Sequence, residues 1–411
     1  MTGPRAQGGP AAPVRVAVVG LGWAANSIWL PRLREHPGYT VSAVVDPDPA
    51  ARAAVARDRT GTELLSSVEE LDRSIADLAV VAVPNHLHSS IASRLLANGI
   101  PVFVEKPVCL NSAEADQLAA AERTAGAVLL AGSAAQYRAD VLALTALVPQ
   151  LGRIRHVDLS WIRARGVPDA GGWFTRRELS GGGALVDLGW HLLDVAGPLL
   201  GPVVFEQVSA TVSGDFVEHG SAKAAWRHQE EGGQEPGEQA GPEAEGVVDV
   251  EDTVRGFLIT DGGISIALRA SWASHEPHDV TLLRVEGSHG TAILRCTFGF
   301  SPNRVAGSTL TLTRDGVVTD VAFEQEPIGA EYYRQLDELP AQLADPAARG
   351  RTIAEVRRTI GVIERIYQSA RSARAAAGPG AKPAAAQRPA VAAPTLSLLS
   401  TGTLHDRNPR H

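Results

Sequence analysis

Over about the first 150 residues, short apolar runs alternate with segments of helical pattern. Val14–Gly20 (VRVAVVG), Val41–Asp46 (VSAVVD), Leu78–Val83 (LAVVAV), Pro101–Glu105 (PVFVE) and Val128–Gly132 read as five buried strands. A helix following the first run ends near His36, at Pro37 and Gly38, and helix formers fill Ala50–Arg59, Ser89–Asn98 and Ser112–Ala125. Strands alternating with helices predict βαβ units and a parallel sheet covered on both faces. Past residue 150 the pattern changes. Ile154–Arg163 alternates like a half-exposed strand, Gly183–Leu199 reads as one apolar helix, and seven further alternating runs follow. These are Val203–Ser213, Asp252–Ile259, Ile264–Trp272, Val280–Glu286, Thr291–Arg295, Thr309–Arg314 and Val317–Phe323. Their spacing predicts a large, mostly antiparallel sheet, closed by helices near Ile328–Leu343 and Ile353–Arg371.

Composition narrows this picture. The 411 residues are 44% hydrophobic and 20% charged, enough to bury a large core. A net charge of −8 without a long basic block argues against nucleic acid or anionic membrane as a partner. No run approaches the ~18 apolar residues of a membrane helix, and Met1–Pro13 lacks the apolar core of a signal peptide, so a cytoplasmic protein is expected. Cys109 and Cys296 alone cannot build a disulfide framework or a thiolate metal site, and no metal is expected. Two segments fall outside the scheme: 226–246, with six Glu and five Gly, reads as an acidic loop, and the Ala/Pro-rich 372–411 as a disordered tail. The expected division is therefore 1–13 disordered, a first domain over 14–135, a second over 136–371, and the tail. One bias matters for chemistry: the chain holds 35 Arg but 3 Lys, so each lysine it keeps invites a reason.

The motif Gly20-Leu21-Gly22-Trp23-Ala24-Ala25 joins the first strand to the first helix. In that context it fits a dinucleotide fingerprint, with a tight turn at Gly20, close backbone approach at Gly22 and a helix N-terminus offered to phosphates. An ordinary strand–helix turn is the plainer alternative. Asp46 ends the second strand, 24 residues after Gly22, where a carboxylate can bind a ribose diol and repel a 2′-phosphate. With Pro47 and Asp48 following instead of Arg, NAD is expected over NADP, unless Asp46 merely starts a turn. Lys106 lies in Glu105-Lys106-Pro107 at the end of the fourth strand, where ligands of such sheets bind. Its ammonium can stabilise developing alkoxide charge, or it is a solvated loop lysine. Asp187 and His191, four apart in GGGALVDLGWH, share a helix face. They fit either a general base of pKa near working pH with its supporting carboxylate, or a buried hydrogen-bonded pair. Gln136 and Arg138 after the fifth strand, Arg163, Arg165 and Trp173 before the helix of Asp187 and His191, and Trp272 and His275 at a later strand end are candidates to face a polyhydroxylated substrate.

Taken together and in order, GLGWAA, the VVD strand end, VPNHLH at 83–88, EKP at 105–107, GGGALVDLGWH at 181–191 and VEGSHGT at 285–291 resemble the Gfo/Idh/MocA oxidoreductases over about Val14–Arg371. The resemblance implies an α/β chain: an N-terminal Rossmann dinucleotide-binding domain, then a C-terminal α/β domain with a large open sheet. It implies acid–base chemistry by Lys106, Asp187 and His191, and a nicotinamide lined by Pro84, Asn85, His88 and Glu105. The expected activity is NAD-dependent oxidation of a secondary hydroxyl of a sugar, aminosugar or cyclitol, or reduction of the ketone. GLGWAANSIWLPRL and the Arg/Ala bias further suggest actinobacterial secondary metabolism such as aminoglycoside formation. A ketoreductase of a nucleotide-linked deoxysugar, an NAD-dependent glycosidase and a non-enzymatic cofactor sensor remain alternatives. A homo-oligomer, dimer or tetramer through the second sheet, is expected.

Overall fold

A computed structural model of the chain describes residues 12–56, 61–169, 172–218 and 248–376. The expectations for the acidic loop and for nearly all of both termini lie outside these residues.

The first sheet has six parallel strands in the order β3-β2-β1-β4-β5-β6. They are β1 (Val14–Val19), β2 (Tyr39–Val45), β3 (Glu63–Leu65), β4 (Leu78–Val81), β5 (Val102–Val104) and β6 (Leu129–Ala131). Five match the apolar runs. The edge strand β3 was not foreseen, because three residues, two of them exposed, leave no periodic signal. The chain reverses direction across the sheet between β1 and β4, which opens a crevice at the carboxyl ends of the strands. A π-helical turn (Ala24–Trp29) and α1 (Leu30–Glu35) follow β1. Pro31 has no N–H to give the preceding turn, and the Arg32 side chain donates there from Nη1 to Ser27 O and Ile28 O at 3.3 and 2.9 Å. Helices α2 (Pro49–Ala56), α3 (His88–Ala97) and α4 (Ser112–Ala125) follow as expected. Asn111 caps α4 at Glu114 N, and Gly126 closes it in the left-handed region. The evenly apolar α5 (Ala139–Leu147) was not singled out in the sequence.

The second sheet has eight strands in the order β14-β13-β12-β11-β7-β10-β9-β8. These are β7 (Ile154–Ile162), β8 (Phe205–Ser213), β9 (Thr253–Thr260), β10 (Ser265–Ser271), β11 (Val280–Gly287), β12 (Thr291–Cys296), β13 (Thr309–Arg314) and β14 (Val317–Asp320). All pairings are antiparallel except β7 with β10. Between β7 and β8 lie α6 (Arg177–Ser180), a second π-helical turn (Leu185–Gly189) and α7 (Trp190–Leu200). The short α8 (Asp215–Glu218) follows β8, and α9 (Ala330–Ala344) and α10 (Arg351–Ala376) end the fold. One face of β7, Val157, Leu159 and Trp161, packs into the same core as Leu188 of the second π turn and Leu192 and Val195 of α7. Helix α9 returns to the first sheet, where Leu336 and Leu339 join Val16, Val18 and Trp29 in one cluster.

Candidate active site

A cleft of about 1150 Å³ runs from the carboxyl ends of β1, β2 and β4 to the edge of the second sheet. All ten residues expected at the cofactor line it: Gly20, Gly22, Trp23, Ala24, Asp46, Pro84, Asn85, His88, Glu105 and Lys106. Gly20 has φ +85°, and a Cβ there would stand 2.7 Å from Val83 Cγ1 and 2.8 Å from Ala82 O, so only glycine fits. A Cβ at Gly22 would meet nothing within 4 Å; the cradle there opens into the cleft. The Asp46 carboxylate is fixed at the rim by Leu21 N at 2.8 Å and Asp48 N at 2.9 Å. An open backbone cradle beside a fixed carboxylate fits a dinucleotide.

At the inner end, Lys106 Nζ donates to Asp187 Oδ1 at 2.8 Å and to Asp187 O at 3.3 Å. Trp272 Nε1 donates to Asp187 Oδ2 at 2.9 Å, and Arg163 Nη1 lies 3.7 Å from the same oxygen. Burial pushes the Asp187 carboxyl up, but the charges of Lys106 and Arg163 and these donated bonds outweigh it and hold the group well below the usual carboxylate range. His191 also lines the cleft, its ring centroid 5.6 Å from that of Trp161. Its Nδ1 is buried and has no hydrogen-bond partner among the described residues.

This corrects one expectation. His191 does not titrate near working pH; it is lowered to about 3. Burial is the main cause, Lys106 and Arg163 add to it, and the opposing pull of Asp187 is too small because that carboxylate faces Lys106 and Trp272.

The surrounding residues hold this group in place. Glu105 is held by Trp29 Nε1 at 2.7 Å and by the backbone N of Lys106 at 2.9 Å. Burial raises its carboxyl against the pull of Lys106 and Trp29. Both ring nitrogens of His88 lie on carbonyls, Nδ1 at 2.7 Å from Pro107 O and Nε2 at 2.8 Å from Val83 O. Asn85 Nδ2 donates to Ser180 O, at the end of α6, at 2.9 Å. The Asp187 turn is anchored by Glu251, whose Oε1 accepts from Gly183 N and Leu185 N, both at 3.1 Å, and from Tyr367 Oη at 2.8 Å. A Cβ on Gly183 would stand 1.8 Å from Glu251 O, which explains glycine there.

The substrate candidates divide. Arg163 and Trp173 line the cleft. Trp272 is the partner of Asp187. Gln136 bonds Ser133 Oγ at 2.8 Å and is not in the cleft wall. Arg138 turns to the other side of the 297–304 loop, bonded to Asp140 at 3.0 and 2.6 Å and stacked on Phe298. His275 packs on Phe216, and Arg165 pairs with Ala273; both lie away from the cleft. A polar residue after a strand carries no mark of which way its loop turns, and these four turned elsewhere. Glu251 was missed altogether, since a lone acid before an apolar strand gives no motif.

A glycine-lined crevice in a parallel sheet, with lysine, aspartate and histidine converging at its end, defines a dinucleotide-dependent oxidoreductase. The chain belongs to the Gfo/Idh/MocA family: residues 14–133 match its NAD-binding Rossmann fold and 149–293 its C-terminal domain. It is 58% identical over 371 residues, 90% of this chain and 99% of the other, to a candidate UDP-kanosamine synthase oxidoreductase subunit of Amycolatopsis mediterranei. It is 29% identical over 203 residues, 48% of this chain and 57% of the other, to D-glucoside 3-dehydrogenase of Escherichia coli. Among solved structures, GenD2 from gentamicin A biosynthesis, in complex with NAD, shares the fold at TM-score 0.68, with 24% identity over 91% of this chain and 98% of that one. No helix among the described residues is long and apolar enough to cross a membrane.

Proposed function

We propose that the protein is an NAD-dependent dehydrogenase that oxidises the carbon-3 hydroxyl of a UDP-linked hexose to a ketone, on the route to an amino sugar. The observation that carries the reaction class is the Lys106–Asp187 ion pair meeting His191 at the inner end of the cleft. The relative named for UDP-kanosamine supports the substrate, because replacing a hydroxyl by an amine passes through a ketone. The glucoside 3-dehydrogenase supports the carbon.

A bound nicotinamide supplies the hydride acceptor. The residues that would hold it are the Gly20–Ala24 turn, Asp46 at the ribose, and Pro84, Asn85, His88 and Glu105 at the ring end. Lys106 donates to the reacting oxygen and stabilises the alkoxide that develops there. His191 Nε2 takes the hydroxyl proton; with Nδ1 buried, it is the ring nitrogen left for substrate. The ring is neutral at any pH above about 3, so it is always ready to accept, and the Lys106 charge offsets its weak basicity by acidifying the hydroxyl. Asp187 fixes Lys106. The same groups serve ketone reduction in reverse.

The test is formation of NADH, followed by absorbance, with UDP-glucose against glucose, methyl glucoside and myo-inositol. UDP-glucose should be oxidised fastest, with NAD preferred to NADP and the preference narrowed in Asp46→Ala. Equal use of NADP by the parent protein, or preference for an unlinked sugar, would overturn the respective part.

A further inference from the structure

Asp279 precedes β11 and lines the cleft on the wall formed by the second sheet, yet only 1% of its surface is exposed. Its position is fixed three times over. Its backbone N donates to Asn303 O at 2.8 Å, its carbonyl accepts from Thr297 Oγ1 at 2.6 Å, and its Oδ1 accepts from Ala164 N at 2.8 Å. These bonds tie together the end of β7 and the 297–304 loop, whose Gly299, Phe300 and Ser301 also line the cleft. Among the described residues Oδ2 accepts no hydrogen bond, and it is not sealed in the core but reaches the cleft surface. A carboxylate oxygen fixed at a cleft surface, with its lone pairs unused by the protein, is open to accept from a ligand.

The neighbouring polar groups do not serve that purpose. Asp187 is occupied by Lys106, Trp272 and Arg163. The Arg163 guanidinium lies 5.3 Å above the Trp161 ring, and Ser301 Oγ already accepts from Asn303 N at 3.0 Å. The same cleft offers aromatic surface from Trp161 and Phe300. A preorganised acceptor beside aromatic faces suits the hydroxyl-bearing ring of a sugar.

We propose that Asp279 is a substrate-binding residue whose Oδ2 accepts a hydrogen bond from a sugar hydroxyl other than the one being oxidised. The inference rests on the reading of the cleft as a sugar site, and deepens it by naming the group that recognises the rest of the ring. Lys106 comes from the end of β5 and His191 from α7, whereas Asp279 stands at the start of β11 and makes no hydrogen bond with either of them. Its role is thus separate from theirs: it holds the ring, and they act on the reacting oxygen.

Asp279→Asn tests this, because the amide keeps the oxygen that accepts from Ala164 N and replaces Oδ2 with a donor. Full-length protein loaded with NADH is titrated calorimetrically with UDP-glucose, its 2-, 4- and 6-deoxy analogues, methyl glucoside and myo-inositol. The parent should lose about 10- to 100-fold in affinity with one deoxy analogue. The Asn variant should lose a similar factor with UDP-glucose itself and nothing further with that analogue. In turnover, KM should rise by the same factor while kcat stays within about threefold. NADH affinity should not move. The inference is overturned if no polyol in the panel distinguishes the variant from the parent, or if the variant lowers kcat with KM unchanged. Failure of the parent to oxidise UDP-glucose would instead overturn the substrate named above, because the titration reads binding of every polyol without turnover.

Discussion

His191 shows how far neighbours can move a side chain from its ordinary behaviour. Burial and two nearby cations hold the ring neutral down to about pH 3. Removing one cation should reverse part of this: in Lys106→Met the His191 ring should titrate closer to its ordinary 6.5, visible as a shift of its Hε1 resonance. The same variant should lose about 10²- to 10³-fold in kcat, the scale for removing one oxyanion donor. The neutral ring also links stability to pH. Its folded pKa lies below the unfolded value, so unfolding takes up a proton, and this part of the stability is complete above about pH 6.5 and lost as pH falls towards 3. Between pH 6.5 and 5 the loss is about 2 kcal/mol. Urea denaturation at the two pH values should show that slope in the parent and its reduction in His191→Asn; equal slopes would mean that the ring is not held neutral. At this scale the sequence made Lys106, Asp187 and His191 readable, because motif order and a shortage of lysine single them out. It could not show that Asp187 would face Lys106 and Trp272 in place of His191, since that depends on rotamers set by strands far along the chain.

The two elements that carry the site share a device: each opens with a π-helical turn, Ala24–Trp29 under the glycine motif and Leu185–Gly189 under Asp187. A wider turn re-aims the side chains that follow it, which is why such turns gather at functional sites. The second turn depends on Glu251, which satisfies the amides of Gly183 and Leu185. Glu251→Ala would leave these amides and the Tyr367 hydroxyl without their partner. A loss of about 3–5 kcal/mol in unfolding free energy is expected, measurable by urea titration. Glu251→Gln, which keeps an acceptor, should recover much of it. Most elements were legible from periodicity, including all eight strands of the second sheet. The exceptions were the three-residue β3, the four-residue α6 and α8 and the segment α5, too short or too evenly apolar to show a period. The π turns were invisible because a helical stripe reads much the same with one residue more per turn.

For the whole molecule, self-association through the outer face of the second sheet is the expectation to test. Phe257 lies on that face, 48% exposed and stacked on His156. Light scattering should find a dimer or tetramer, shifted to monomer by Phe257→Asp; a monomeric parent would end the idea. The change of pattern near residue 150 suggested two consecutive units, but packing does not respect that order. Tyr39 Oη donates to Leu336 O at 2.5 Å, Gln335 Nε2 to Ala131 O at 2.9 Å, and Leu336 and Leu339 complete the core over Val16 and Val18. A ribosome adding about 5–20 residues per second finishes β6 roughly 10–40 s before Leu339 is made. During that interval one apolar face of the nascent first sheet has lost its water-soluble random coil without yet gaining its cover. The newborn chain therefore depends on being shielded until its last fifth is synthesised.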